Sequence, residues 1–453
     1  MSTLTHAAQA WHALLRPGEE LGAAFCDDLA ARMRAQRLTF GDRVHCPFLR
    51  PFFLDEAGEQ RVRKVVEAIA AVGERVVQAA LECPALMAQA ALSEAEDKLV
   101  RIDPGYKTAL TASRLDSFLL PDSLQFAEYN AESPAGLGYA ESLAELFAAL
   151  PLMSRFEQTF AVRAYPLSQS ILEALLASYR EWGGTASPPV IAIVDWRGVP
   201  TWTEFELLQA RFEKRGVPTV VADPRDLEFD GTALRAGGRK IDLVYRRVLI
   251  NDIVSRAAEC DALVRAYTAR AVCVANTLRC KIPHKKSFFA MLTDDANQSL
   301  FTSEEREVSR RHIPWTRLLR EGRSTYFGES VDLVPYMRKR RNDLVIKPND
   351  EYGGTGVNLG WEMDEREWDA AIQAALADAA GAWVVQERIA VRRETFPQFE
   401  PGLGATMRDV LVDLAPYIFR GKLSGFLTRL SATGLANVSS GGGQVPLFVV
   451  KSR

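Results

Sequence analysis

The stretch from Val345 to Gly356, VIKPNDEYGGTG, decides how this chain is read. Its β-branched start favours a strand that ends on Lys347, and the loop that follows holds Gly353, Gly354 and Gly356. Glycines let backbone N–H groups come close to phosphate oxygens, and a strand-end lysine adds a point charge for the same anion. The spacing is neither GxxxxGK(S/T) nor the Rossmann G-x-G-x-x-G, so neither of those phosphate sites is at hand. Taken alone, an exposed lysine before a flexible turn reads the same way.

Outward from this loop, a second constellation stands far upstream. RLDSFLL and SLQFAEYN form a hairpin joined at Pro121-Asp122, with Arg114 and Asp116 on one limb and Glu128 and Asn130 on the other. Members of each pair are two apart, so both face the same way. If the limbs pair, Asp116, Glu128 and Asn130 gather beside Arg114. Two carboxylates about 4 Å apart repel by roughly 4 kcal/mol at an effective dielectric near 20. A buried cluster therefore needs a cation or a protonated member, and hard oxygen donors suit Mg²⁺. The alternative is a solvated hairpin with an Arg–Asp pair.

Two weaker signals lie downstream. AWVVQERI puts Gln386, Glu387, Arg388 and Ile389 at the end of a buried strand, where backbone carbonyl and N–H groups two residues apart can meet a base edge. Arg429 stands twelve residues before Gly441-Gly442-Gly443, where it could clamp a phosphate or carboxylate under a closing loop. A glycine-rich tail is equally a flexible terminus.

The rest of the sequence reads as scaffold and a middle unit. Residues 1–110 form an N-terminal helical region, with apolar spacing such as Val62, Val65, Val66, Ile69, Val72 and Val76. Residues 111–188 carry the hairpin and helices. Residues 189–280 read as a small parallel α/β unit: strands PVIAIVDW, VPTVVADP and DLVYRRVL, a turn at Gly237-Gly238, and a helix over Asp252 to Arg270. Residues 281–453 hold a helix opened by HKKSFFAML, the lysine strand, and a helix from Asp364 to Ala380 with a capping box at Asp364 and Glu367. Strands AWVVQERI, VLVDLAPYIF and LSGFLTRLS and a terminal glycine loop complete that section.

Composition narrows the class. Of 453 residues 47% are hydrophobic and 25% charged, enough for two or three cores. A formal net charge of -3 gives no basic surplus for nucleic acid or an anionic membrane. The six cysteines are scattered without a CxxC pair, which reads as reduced, mostly buried thiols. No signal-peptide pattern and no run of 18 apolar residues occurs, so a cytoplasmic location is expected. None of the five histidines sits in a zinc-ligand spacing.

RLD…FAEYNAES, IKPNDEYGGTG, VVQERI and FLTR…GGG resemble, in this order, the circularly permuted ATP-grasp ligases. The likeness is to the synthetase half of glutathionylspermidine synthetase and to eukaryotic-type glutathione synthetase. It covers Arg114 to the C-terminus, and the order of the motifs carries it. The resemblance implies an α/β (α+β) ATP-grasp-like fold, with the helical N-terminal region and the small parallel sheet as a pre-ATP-grasp or substrate domain. It further implies that Arg114, Asp116, Glu128 and Asn130 contact the γ-phosphate and two Mg²⁺ ions, with Glu351 as a further metal ligand. Lys286, or Lys285 if the register shifts by one, and Lys347 would bind the ATP phosphates beside Gly353 and Gly354. Gln386, Glu387 and Ile389 would line the adenine pocket, with Glu387 C=O and Ile389 N–H as partners. Arg429 would hold the reacting phosphate or acid.

Breakdown of a glutathionyl amide, the work of the amidase domain of the bifunctional enzyme, is not expected of these residues, and Pro189 to Ala275, with Tyr245, Arg246 and Arg247, matches no glutathione or spermidine motif. The expectation is an ATP- and Mg-dependent carboxylate–amine ligase acting through an acyl phosphate on a small or peptidic acid and an amine. A small-molecule kinase and an inactive ATP-binding partner protein are the rivals. No Ser/His/Asp or Cys/His arrangement suggests a covalent route. Oligomeric state is left open, a homodimer among the arrangements.

Overall fold

The computed structural model describes residues 3–378, 381–432 and 442–453. Its central antiparallel sheet is built on the strand Gly404–Phe419. One edge of that strand takes Arg392–Glu400 and then Ala112–Leu119, and the other takes Lys422–Ser431, itself followed by Gly443–Val445. Leu124–Asn130 pairs with the far side of Ala112–Leu119, so the hairpin expected from the sequence is present.

The segment VLVDLAPYIF is buried throughout because both faces of the sheet are covered. Val412, Leu414 and Ile418 pack into one hydrophobic cluster, while Ala415, Tyr417 and Phe419 pack into another. The long helix Glu56–Glu82 supplies Val62, Val66, Ile69 and Val76 to the first cluster, and the helix Leu167–Glu181 supplies Ile171 and Leu175 to the second. Each such side chain contributes about 1.5–3 kcal/mol over an exposed one.

The N-terminal region is not helices alone. Phe52–Asp55 is a strand, parallel to the C-terminal strand Leu447–Ser452, whose other edge takes Phe160–Arg163. Four residues carry too little period to be distinguished from a helix end by sequence.

In the middle unit Cys273–Ala275, Leu243–Arg246, Ile191–Val194 and Thr219–Ala222 make the expected parallel sheet. The turn at Gly237-Gly238 belongs instead to a separate antiparallel meander of Leu227–Phe229, Leu234–Ala236 and Arg239–Lys240. The helix expected over Asp252 to Arg270 is two, Ile250–Ser255 and Asp261–Thr268. Arg256 leaves helical backbone between them, pairs with Glu259 at 2.7 Å, and lies 3.4 Å above the Trp196 ring. Asn276 stitches this unit to the hairpin: its Nδ2 donates to Ala112 O at 2.6 Å and Ala131 O at 2.8 Å.

The lysine strand, Leu344–Pro348, lies in a second antiparallel sheet between Trp383–Glu387 and Asn358–Leu359, with Thr316–Leu318 beyond. Behind it Trp315, Met337, Trp368 and Ile372 form a core of their own. The helix Glu365–Ala377 begins with the capping box at Asp364 and Glu367 and ends before the expected Ala380, which lies outside the described residues. The helix expected from HKKSFFAML starts only at Ser287, because Lys285 takes extended backbone. All six cysteines are free, and only Cys83 is exposed. Among the described residues no helix is long and apolar enough to cross a membrane.

Candidate active site

In the hairpin Arg114 is opposite Asn130 and Asp116 opposite Glu128, so the four side chains share a face. Arg114 Nε donates to Asp116 Oδ1 at 2.8 Å and Nη1 to the Ala135 carbonyl at 2.9 Å. From two strands away, across Gly404–Phe419, Arg429 donates through Nη2 to Asp116 Oδ2 at 2.6 Å. Burial opposes ionisation of Asp116, yet Arg114 and Arg429 hold its carboxyl well below the usual carboxylate range.

Asp413, opposite Arg429 in the register, completes the cluster by accepting from Arg429 Nε at 2.6 Å. Burial pushes its carboxyl up to about 7, with Arg429 opposing and Asp116 adding repulsion. Asp413 was not among the residues expected from the sequence. Its signal was a lone carboxylate inside VLVDLAPYIF, where a buried charge demands a partner.

Lys347 extends from its strand toward the hairpin, donating to Gln386 Oε1 at 2.6 Å and the Ala127 carbonyl at 3.3 Å. Gln386 Nε2 in turn donates to Thr316 Oγ1 at 3.0 Å, so its amide is spent on holding the lysine. Burial pushes Lys347 down to about 8, with Glu128 pulling the other way and Lys286 adding repulsion. Lys286 Nζ lies 3.5 Å from Glu128 Oε2 and donates to the Glu351 carbonyl. Lys285 instead pairs with Glu96 at 2.9 Å and Asp350 at 2.7 Å, so Lys286 is the one at the slot.

Asp350 anchors the root of the glycine loop. It accepts from Lys281 at 2.9 Å as well as from Lys285, and Lys281 reaches Glu132 at 3.2 Å, just past the hairpin. Gly353, Gly354 and Gly356 all have positive φ, and a Cβ on Gly356 would stand 2.7 Å from Pro348 Cγ.

These groups enclose an inner slot of about 180 Å³. Asp116, Lys286, Lys347, Glu351, Gly354, Gln386, Glu387 and Ile389 line it, with Asp413 and the apolar walls Phe118, Val345, Leu359 and Trp361. Arg388 lies 4.3 Å over the Trp361 ring at the same slot. The Ile389 N–H has no hydrogen-bond partner among the described residues. The Glu387 carboxylate accepts from the Tyr326 hydroxyl at 2.7 Å.

An outer cleft of about 600 Å³ shares Glu128, Gly353, Thr355 and Arg429 with the slot. Arg114 and Asn130 face this outer cleft, together with Asp195, Arg247 and Asp252 from the parallel unit. Hairpin and lysine strand thus flank one continuous space. Among the described residues no three or more His, Cys, Asp or Glu are grouped as a ready-made cation cage. The expected terminal glycine loop is partly a strand: Gly443 pairs with Leu430 and Gln444 with Arg429, while Gly441 lies outside the described residues.

No protein-family model matches this sequence. It is similar to "Putative glutamate–cysteine ligase 2-2" of Frankia casuarinae, 24% identical over 341 residues, and to "Putative glutamate–cysteine ligase 2-3" of Frankia alni, 25% identical over 340. Each match covers 71% of this chain and 36% of the relative, so the chain spans about a third of the length of the curated relatives it matches. Among solved structures, a glutathione synthetase like-effector from Globodera pallida superposes with a TM-score of 0.61 at 13% identity, covering 96% of this chain and 99% of that one. The protein therefore has a mixed α/β fold of the glutathione synthetase-like kind.

Proposed function

We propose that the protein is an ATP- and Mg-dependent carboxylate–amine ligase, joining a small or peptidic acid to an amine through an acyl phosphate. One observation carries the reading. The Lys347 ammonium is held in the slot by a neutral amide and a carbonyl, with no carboxylate at ion-pair distance among the described residues. A half-buried cation without a counter-charge is costly, and a phosphate would supply the missing charge. The glycine loop and Lys286 stand beside it for the same anion.

The apolar walls and the unpaired Ile389 N–H fit the flat edge and face of an adenine base. Mg²⁺, when bound, would neutralise phosphate oxygens, and it commonly takes only one or two carboxylates besides phosphate and water. Asp116, Glu128, Asn130 and Glu351 would be the oxygen donors to two such ions. Arg429 and Arg114 stabilise charge on the transferring phosphoryl group where slot and cleft meet. The outer cleft positions the acid with its carboxylate at that corner, and the glycine loop shields the activated acid from water. In this reading 281–453 carries the nucleotide, 111–188 the metal-binding hairpin, and 189–280 the substrate wall. The names of the Frankia relatives, ligases of glutamate and cysteine, support a carboxylate–amine ligase.

The test is ADP release by the full-length protein with Mg-ATP across a panel of acids and amines. ADP formed only when acid and amine are both present supports the ligase. A stable phosphorylated acid formed without amine would make the protein a kinase, and no ATP binding by calorimetry would remove both readings.

A further inference from the structure

The contacts of Lys347 belong to a relay of hydrogen bonds that runs from the slot into the interior of the second sheet. Gln386 stands between two pairing strands, opposite Thr316 on one side and Val345 on the other, and Lys347 is its diagonal neighbour across the second pairing. Opposite and diagonal residues share a face of the sheet, so the three polar side chains lie in one row.

The role of each atom in that row is fixed. An ammonium has three donors and no acceptor, so the amide atom that meets Lys347 Nζ at 2.6 Å is the oxygen, Oε1. The amide nitrogen then points the other way. It can only donate, and the Thr316 hydroxyl oxygen accepts from it at 3.0 Å. The hydroxyl proton of Thr316 goes to the Pro314 carbonyl at 2.8 Å. Thr316 and Gln386 are both buried, which keeps water from competing for these bonds. The backbone of Thr316 is tied as well: its N–H donates to Thr293 Oγ1 at 3.3 Å, and its carbonyl accepts from Arg317 Nη1 at 2.7 Å.

What the relay ends on decides its chemistry. A glutamate at 386 would have the same shape and reach the same ammonium, yet the residue there is an amide. A carboxylate would pair with Lys347, and that pair would have to be broken or shared before the ammonium could meet a phosphate. The amide oxygen holds the ammonium in position and leaves its charge in place. Glu128 and Asp116 attract Lys347 only from beyond ion-pair distance. An ammonium that is already positioned loses less conformational freedom when an anion arrives.

We infer that Thr316 and Gln386 are positioning residues, a relay that sets the Lys347 ammonium in place with its charge uncompensated for an incoming polyphosphate. The inference deepens the nucleotide reading above and rests on it. Thr316 acts through Gln386, and Gln386 acts through Lys347.

Mg-ATP is titrated calorimetrically into the full-length protein and its variants at neutral pH, and thermal unfolding is followed without ligand. Gln386→Glu is expected to bind Mg-ATP at least about tenfold more weakly and to unfold at the same or a higher temperature, because the new carboxylate pairs with Lys347. Thr316→Val frees the amide to turn its nitrogen toward the ammonium and weakens binding about fivefold or more. Thr316→Ser restores the hydroxyl and returns the affinity to within about twofold of wild type. In a Lys347→Met background Thr316→Val has no further effect, since the relay acts through that lysine. Unchanged affinity in Gln386→Glu or Thr316→Val, a Gln386→Glu protein less stable than wild type, or a Thr316→Val loss that persists in Lys347→Met would overturn the inference and leave the nucleotide reading standing. If Thr316→Val does not fold, the Gln386→Glu result decides. If wild type binds no Mg-ATP, the nucleotide reading fails, and inorganic tripolyphosphate becomes the probe. Tripolyphosphate binding that follows the same order among the variants then supports the relay, and equal or absent binding overturns it.

Discussion

Arg429 and Asp413 face each other across adjacent strands, Nε to Oδ2 at 2.6 Å, while the same guanidinium reaches Asp116 at 2.6 Å on a strand from the first third of the sequence. One cation is thus shared by two carboxylates from distant segments, and it sits where slot and cleft join. The Asp116 carboxylate is also held by Arg114, whereas Asp413 has Arg429 as its ion-pair partner.

This asymmetry sets a stability order. Asp116→Asn removes a charge that two guanidiniums compensate and is expected to cost about 3–5 kcal/mol, the range for breaking a buried ion pair. Asp413→Asn replaces a carboxyl already pushed up to about 7 by burial, and is expected to cost less, about 1–2 kcal/mol. Urea unfolding midpoints of the two variants check the order, and equal costs would contradict the assignment of the charge to Asp116.

Glu128 belongs to the corner shared by slot and cleft and is more open than the Asp116 cluster. Glu128→Gln is therefore expected to leave the circular dichroism spectrum and unfolding midpoint close to wild type while ADP release falls by at least about a hundredfold. Full ADP release from a folded Glu128→Gln protein would remove its metal assignment.

Lys347 gives a pH signature. Its folded pKa is pushed down by burial to about 8, and an unfolded lysine titrates near about 10.4. Between these values the unfolded state binds more protons, so the contribution of Lys347 to stability rises with pH across that window. Phosphate beside the ammonium raises its pKa again. Titration of ATP at about pH 8.5, in buffers of different ionisation enthalpy, is expected to show uptake of a fraction of a proton that fades near about pH 6.5 and is absent in Lys347→Met. Proton release at about pH 8.5 would oppose this placement.

The buried network behind the glycine loop makes a separate statement about acid stability. Burial opposes ionisation of Glu132, but Lys281, His284 and Arg246 bring its pKa down to about 2. Its stabilisation is present above the unfolded value near about 4.3 and is lost as pH falls toward about 2. Glu132→Gln is expected to cost about 3–5 kcal/mol at neutral pH and to flatten the decline of stability over that acid window. A variant as stable as wild type, with the same acid profile, would show that the network is not a support of the loop.

The hairpin, the lysine strand and the capped helix at Asp364 were legible because each is a local pattern: alternation of two, a β-branched run ending in a turn, a residue pair three apart. Which lysine of Lys285 and Lys286 faces the slot was not legible, since it depends on Glu96 and Asp350, partners 189 and 65 residues away in sequence. Asp413 was hidden in the same way, its meaning set by Arg429 and Asp116 across two neighbouring strands. The side chain of Gln386 shows the opposite case, a residue placed beside the slot as expected but with its amide committed to Lys347 and Thr316. The break at Arg256 and the strand Phe52–Asp55 were missed because tertiary contacts, the Trp196 ring and the C-terminal strand, decide them.

The central claim is that the hairpin and the lysine strand meet around one magnesium-bound triphosphate, and calorimetric titration of Mg-ATP into wild type and Lys347→Met tests it most directly. One site per wild-type molecule is expected, with an affinity at least about tenfold weaker in the variant and the unfolding midpoint preserved. Equal affinity in a folded Lys347→Met protein would contradict it.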